Sequence, residues 1–288
     1  MNVQNIAFTK MQGTGNDFVV LDCIANPAYL AFAETPALAS KMCDRHYGIG
    51  ADGLLLVLPS DVADIKMRII NSDGSEPEMC GNGIRCFARY VYEQQIVPKE
   101  VMTIETLAGV LVPRMILDEK GSVTGIEVDM GEPILNRADI PMIGDGQAIS
   151  EPIVVEDETF LVTAVSMGNP HCVTFMEDLK EFPITYWGPR MECSSYFPRK
   201  TNVEYVQVVS DSEVIMRVWE RGAAVTMACG TGSCATVVAC VLNGKTGRDV
   251  LVHLDGGDLQ IHWDEATNHL FMTGPAENVF TGVYLWEE

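Results

Sequence analysis

The sequence predicts an α/β (α+β) protein of two pseudo-symmetric halves, each of strands around one buried helix, and three observations predict it. Met79-Cys80-Gly81-Asn82-Gly83-Ile84-Arg85-Cys86 is answered by Ala228-Cys229-Gly230-Thr231-Gly232-Ser233-Cys234, with the two leading cysteines 149 residues apart. The same offset carries Met67-Arg68-Ile69 onto Met216-Arg217-Val218, so a strand, a loop and a cysteine turn recur as one block. The stretch after the second cysteine, Cys234 to Leu242, is apolar nearly all round, which marks a helix buried on every side. At about 10 residues it is too short to cross a bilayer.

In chain order, Phe8 to Met11 opens as a strand that breaks at Gly13-Thr14-Gly15-Asn16-Asp17 and resumes over Phe18 to Leu21. A glycine-rich break inside a strand pair reads locally as a hairpin or bulge. Pro36 to Arg45 has helical pattern, Leu54 to Leu58 is an apolar strand after the turn Gly48 to Gly53, and Lys66 to Ile70 is the next strand. Helices follow each cysteine motif, over Ile84 to Gln95 and Ser233 to Leu242, the second ending at Asn243-Gly244 as a helix C-cap does. Strands are expected over Thr103 to Arg114 and Ile126 to Met130, with Gly121-Ser122 as the boundary between a half spanning 1–121 and one spanning 122–275. After the loop-rich stretch Gly131 to Pro152, Leu161 to Ser166 runs through Gly168-Asn169-Pro170-His171 into Cys172 to Phe175. That strand, Gly-Asn turn and strand repeats the Gly15-Asn16 arrangement at nearly the same offset. Asn202 to Val209 and Val214 to Trp219 precede Glu220-Arg221-Gly222, and four more strands close the chain.

Composition narrows the function classes. An apolar share of 47% with 20% charged residues over 288 positions is that of an ordinary globular protein with room for two cores. The formal charge of −21 argues against nucleic acid and against anionic membrane surfaces as partners. Nine cysteines without paired CxxC spacing, no signal-like start and no long apolar run point to free thiols in a cytoplasmic setting.

The chemistry concentrates at Cys80 and Cys229. Each stands at the start of a helix, where free N–H groups and the positive dipole end bind anions and favour thiolate. Two such thiols on similar halves suit an acid and a base on opposite faces of one carbon, the requirement of stereochemical inversion. Glu220 lies nine residues before Cys229 as Asn71 lies nine before Cys80, which draws Glu220, Arg221 and His171 from ordinary surface or core roles toward the site. Competing motifs are weaker. Gly230 to Ala235 satisfies G-x-G-x-x-A, yet its counterpart ends in Cys86 and the surroundings are not repeated βαβ units. Asn243-Gly244-Lys245-Thr246 resembles the end of a P-loop, but Ala239 stands where the first glycine belongs. The cysteine spacings do not fit a metal site. A pyridoxal phosphate route would need a Schiff-base lysine and stays open at this level, whereas paired thiols need no cofactor.

Lys10 to Phe18, Met79 to Cys86, Gly168 to His171 and Glu220 to Gly232 together resemble, in order, the signatures of the diaminopimelate epimerases. The resemblance covers essentially the whole chain. It implies two α/β halves, each a curved mixed sheet around a central helix, with the C-terminal strand, 276–288, returning to the first half. It implies cofactor-independent interconversion of LL- and meso-2,6-diaminopimelate, on the lysine and peptidoglycan route, at the interface of the halves of a homodimeric enzyme. By that pattern Cys80 and Cys229 are the acid/base pair, and His171 and Glu220 tune them. Asn16, Asn71, Asn169, Asn202, Glu220 and Arg221 hold substrate, while Gly81, Asn82, Gly230 and Thr231 receive its carboxylate. No metal and no cofactor is implied. Gln12, Gly53 and Ala224-Val225 depart from common family residues and bear on specificity rather than reaction class. The alternatives are a racemase of the same fold acting on another amino acid, such as histidine or proline, and a non-catalytic amino-acid-binding protein. Oxidation is expected to link Cys80 to Cys229 when no substrate separates them.

Overall fold

The computed structural model describes residues 3–33 and 36–287. The chain forms two compact units, Met1–Val128 with Gly274–Glu288, and Asp129–Thr273. Both are sheet-rich α+β units in which one long helix lies against a mixed sheet.

The first unit contains β1 (Val3–Gly13), β2 (Asn16–Asp22), α1 (Ala28–Ala33), α2 (Pro36–Cys43), β3 (Gly53–Leu58), β4 (Ile65–Asn71) and α3 (Gly81–Glu93). It continues with β5 (Ile104–Thr106), β6 (Gly109–Leu111), β7 (Arg114–Leu117) and β8 (Val123–Asp129). The second unit runs through β9 (Glu151–Val155), β10 (Glu158–Ser166), β11 (Pro170–Phe175), α4 (Ile184–Glu192), β12 (Asn202–Val208) and β13 (Glu213–Glu220). It ends with β14 (Ala224–Val225), α5 (Gly230–Leu242), β15 (Asp249–Leu254), β16 (Gly257–Trp263) and β17 (Leu270–Gly274). The last strand, β18 (Glu277–Glu287), pairs antiparallel with β1 along nearly its whole length; residue 288 of the expected returning strand lies outside the described residues.

In the first unit the strand order is β18-β1-β2-β3-β4-β5-β6, with β2–β3 and β4–β5 parallel. In the second it is β17-β16-β15-β13-β12-β11-β10-β9, with β11–β12 and β13–β15 parallel and β14 beside β13. The repetition is registered strand by strand. Phe18 stands opposite Gly53 across β2–β3, and His171 stands opposite Asn202 across β11–β12. Gly53 in turn faces Asn71 on β4, while Val203 faces Trp219, which sets Asn202 against Glu220 on β13.

The central strands are covered on both faces, which is why β3 is buried at every position and reads as an unbroken apolar run. Leu54 and Leu56 pack with Leu38, Ala39 and Met42 of α2, while Leu55 faces α3. Val203 and Tyr205 pack with Ile184 and Met191 of α4, while Glu204 faces α5. A core thus lies on each side of each sheet.

Several sequence expectations shift. Both central helices begin three residues earlier than periodicity suggests, at Gly81 and Gly230. Their glycines adopt ordinary helical rather than left-handed backbone, so they provide space instead of a tight turn. Thr103 to Arg114 is not one strand but three short ones, broken at Leu107-Ala108 and Val112-Pro113. Gly121-Ser122 is the turn of the β7–β8 hairpin, closed by the Asp118 and Ser122 backbones, and the division into units falls seven residues later. Helix α4 was not expected, because Gly188 and Pro189 lie inside it. Gly188 is required there: a Cβ would sit 2.5 Å from the Trp219 ring.

Candidate active site

Cys80 and Cys229 are the N-caps of α3 and α5, with matching extended backbone (φ −141°, ψ 117° and φ −132°, ψ 111°). Each Sγ accepts a hydrogen bond from the backbone N–H three residues on, Gly83 for Cys80 and Gly232 for Cys229, at 3.4 Å in both. That is the place an N-cap serine or aspartate oxygen normally fills. At the second site the glycine at the third helical position leaves the sulfur room, since a Cβ on Gly232 would stand 3.2 Å from Cys229 Sγ.

In the first unit Cys80 Sγ lies 3.6 Å from Asn16 Oδ1, to which Asn82 also donates at 3.4 Å. Asn16 is held from behind by Asp52, whose Oδ2 also accepts the Asp17 N–H at 3.0 Å. Arg45 bridges Asp17 and Asp52 at 2.8 Å each, and Lys10 pairs with Asp17. Burial alone would raise the Asp17 carboxyl, but the hydrogen bonds from Arg45 and Lys10 outweigh it and hold it below the usual carboxylate range. Asn71 ends β4 and donates to Ser75 Oγ at 2.9 Å. Gly53 has no freedom to carry a side chain, since a Cβ would stand 2.8 Å from the Ile70 carbonyl oxygen.

In the second unit His171 is fully buried, with Nδ1 2.6 Å from Glu204 Oε1 and Nε2 3.0 Å from Asn169 Oδ1. Asn202, also buried, donates to the Pro170 carbonyl at 2.7 Å and accepts the Arg221 N–H at 2.9 Å, so its amide ties the two loops of the site together. The Arg221 side chain itself is exposed. Glu220 accepts from Thr226 Oγ1, and burial pushes its carboxyl above the usual range. Thr231 Oγ1 lies 3.5 Å from Cys229 Sγ.

One electrostatic expectation changes sign. A helix N-terminus favours thiolate, and the Gly232 N–H and Thr231 do act that way on Cys229. Burial, followed by the charges of Glu220 and Glu204, pushes in the opposite direction and wins, so this thiol sits well above its ordinary range.

The structure thus collects Asn16, Asn82 and Cys80 in the first unit and Asn169, His171, Asn202, Glu220, Thr231 and Cys229 in the second. Sequence reasoning missed Asp52, Arg45 and Lys10 behind Asn16, and Glu204 behind His171. The repeat could have revealed Glu204: it occupies the place of Leu55, a carboxylate where the counterpart strand has leucine.

Among the described residues no cluster of His, Cys, Asp and Glu is arranged to hold a metal ion, and no helix is long and apolar enough to cross a membrane.

The family model described as diaminopimelate epimerase matches residues 8–136 and 163–279. The diaminopimelate epimerase of Heliobacterium modesticaldum is 58% identical over 276 residues, covering 96% of this chain and 98% of that one. That of Pelotomaculum thermopropionicum is 55% identical over 281 residues, with the same coverage. Among solved structures, a hydroxyproline epimerase from Agrobacterium vitis superposes with a TM-score of 0.69 at 14% identity, covering 99% of this chain and 93% of its own. A PhzF-family protein from Bacillus anthracis superposes at 0.68 with 17% identity, covering 99% and 100%. These two share the fold, whereas the identities above 50% along nearly the whole chain place this protein more narrowly: it belongs to the diaminopimelate epimerase family.

Proposed function

We propose that the protein interconverts LL- and meso-2,6-diaminopimelate without a cofactor, using Cys80 and Cys229 as an acid/base pair on opposite faces of one α-carbon. The observation that carries this reading is the repeated N-cap thiol, the same in helix position and glycine N–H contact and closely matched in backbone conformation in the two units. One sulfur, as thiolate, takes the α-proton and becomes a thiol, while the other thiol gives its proton to the opposite face and becomes a thiolate. No atom is gained or lost, and the reverse reaction exchanges the roles.

An amino acid is a weak carbon acid, so charge developing beside its carboxylate must be stabilised as it forms. The first N–H groups of α3 and α5, at Gly81 and Asn82 and at Gly230 and Thr231, suit that carboxylate. Asn16, Asn71, Asn169, Asn202, Glu220 and Arg221 hold the rest of the substrate, and a site built to pair both amino-acid ends rejects simpler amino acids that leave donors empty. His171 and Glu220 tune the thiols, a role supported at Cys229 by burial and then the Glu220 charge, which push that thiol up.

The substrate is a small amino acid, without nucleic-acid or membrane partners, in the cytoplasm and on the route to lysine. The protein acts as a homodimer; the supporting feature is β18, a sheet-edge strand with Val279, Val283 and Leu285 each more than half exposed. Light scattering behind size exclusion tests it, and a monomer at all concentrations contradicts it.

The test of the mechanism is turnover by reduced, cofactor-free protein and its Cys80→Ala and Cys229→Ala variants. Each variant should lose at least about 100-fold in kcat while still binding substrate. A variant within twofold of the parent removes that thiol from the mechanism.

A further inference from the structure

The repeat makes the two thiols comparable, and the comparison exposes a difference. A Cβ built on Gly83 would meet Cys80 Cβ, Leu55 Cδ2 and Phe18 Cζ, at 3.4, 3.4 and 3.5 Å. A Cβ on the equivalent Gly232 would meet Glu204 Oε1 at 2.7 Å and Cys229 Sγ at 3.2 Å. The strand registers make Leu55 the counterpart of Glu204 and Phe18 the counterpart of His171. The glycine of the first turn of α3 therefore packs on an apolar pair, and its counterpart in α5 packs on the buried Glu204 carboxylate that holds His171.

We propose that Glu204 is a positioning residue for Cys229: its carboxylate, which holds the proton on His171 Nδ1 and lies with the Cys229 sulfur beside Gly232, sets the acid/base state of that thiol. The proposal rests on the two-thiol reading above and extends it to a residue outside the substrate contacts. A carboxylate only accepts, so the 2.6 Å contact requires a hydrogen on Nδ1, while Nε2 faces Asn169 Oδ1 at 3.0 Å. The ring cannot turn away, because His171 and Glu204 are both 0% exposed and Nε2 is held at 3.0 Å by Asn169. Among the described residues Glu204 Oε2 has no hydrogen-bond partner. A buried carboxylate oxygen left so is costly in a strand whose counterpart uses leucine, and packing alone gives no reason to keep it.

The charged and titratable groups around the pair come from three strands and a helix: Cys172 beside His171 on β11, Tyr205 beside Glu204 on β12, Glu220 on β13, and Cys229 at the start of α5. Cys172 and Tyr205 are held protonated by burial, with the Glu204 charge acting in the same direction. Glu220 and Cys229 are thus the groups left to exchange protons beside the pair.

The test compares the pH dependence of iodoacetamide alkylation at Cys229 and at Cys80, by peptide mass spectrometry, in reduced wild type and in Glu204→Gln. Gln keeps size and hydrogen-bond reach but removes the charge. The midpoint for Cys229 should move by at least about half a pH unit while that for Cys80 stays put, and kcat should fall at least about 10-fold with KM within about twofold. The His171→Asn/Glu204→Gln double variant should be no slower than the slower single one, because the two act as a unit. Unmoved alkylation at both thiols, or equal shifts at both, overturns the proposal. Alkylation needs no turnover, so it decides the matter even if diaminopimelate is not the substrate. Nitrogen-15 NMR of His171 in the unaltered protein covers a variant that does not fold: a proton on Nε2 instead of Nδ1 also overturns it.

Discussion

At Cys229 burial does more than the helix terminus. The Gly232 N–H and the α5 dipole favour thiolate, but desolvation and the Glu220 and Glu204 charges keep the sulfur protonated. The sign has a measurable consequence: removing the Glu220 charge relieves part of the upward push. Glu220→Gln should alkylate at Cys229 at lower pH than wild type, and an upward or absent shift in the midpoint contradicts this ordering of effects. Asn16 shows the opposite logic, a neutral side chain fixed by ionic neighbours, since Asp52 holds its amide and Arg45 holds Asp52. Asp52→Ala frees that amide and should raise KM for diaminopimelate several-fold with little change in stability, read from steady-state kinetics and a melting curve.

Among elements, α3 and α5 begin alike and tolerate change differently. Gly232→Ala would drive a methyl group to 2.7 Å from Glu204 and 3.2 Å from Cys229, in a fully buried setting. It should cost about 1–3 kcal/mol of stability and most of the activity. Gly83→Ala meets ordinary van der Waals contacts of 3.4 Å or more and should be far milder. Equal losses, by denaturant titration and kinetics, contradict the asymmetry. These helices, the strands beside them and the thiols at their starts were legible in the sequence because a repeat 149 residues apart registers them twice. Helix α4 was illegible: Gly188 and Pro189 break its pattern, and only the Trp219 ring that Gly188 packs against explains the glycine. The supporting charges were illegible for a related reason. Asp52 and Arg45 lie on a loop where polar residues are expected anyway, and their pairing with Asp17 is tertiary. Glu204 was hidden in a strand that already carries the polar Asn202 and Gln207, and becomes visible only when set against Leu55.

For the whole molecule, the cysteines make an alkaline limit. Burial pushes Cys23, Cys43, Cys86 and Cys240 up to about 12 from an ordinary 9.0. A thiol raised in the folded state contributes stability that is complete below its unfolded value and is lost as pH climbs toward the folded one. Unfolding free energy in reductant should therefore decline between about pH 9 and pH 12; a flat profile across that window contradicts it. Oxidation acts on the site pair instead. If Cys80 and Cys229 serve one carbon, mild oxidant without substrate should link them and abolish turnover, reversibly with dithiothreitol, and two free thiols in the inactive sample count against it. The most direct measurement is proton NMR of the reduced protein with LL-diaminopimelate in D₂O. The two-thiol account predicts that meso product appears with deuterium at the inverted α-carbon, because the proton removed on one face goes to one sulfur and the deuteron delivered on the other face comes from the other. Product that retains the substrate proton, or a folded, reduced protein that neither exchanges nor inverts diaminopimelate, would contradict it.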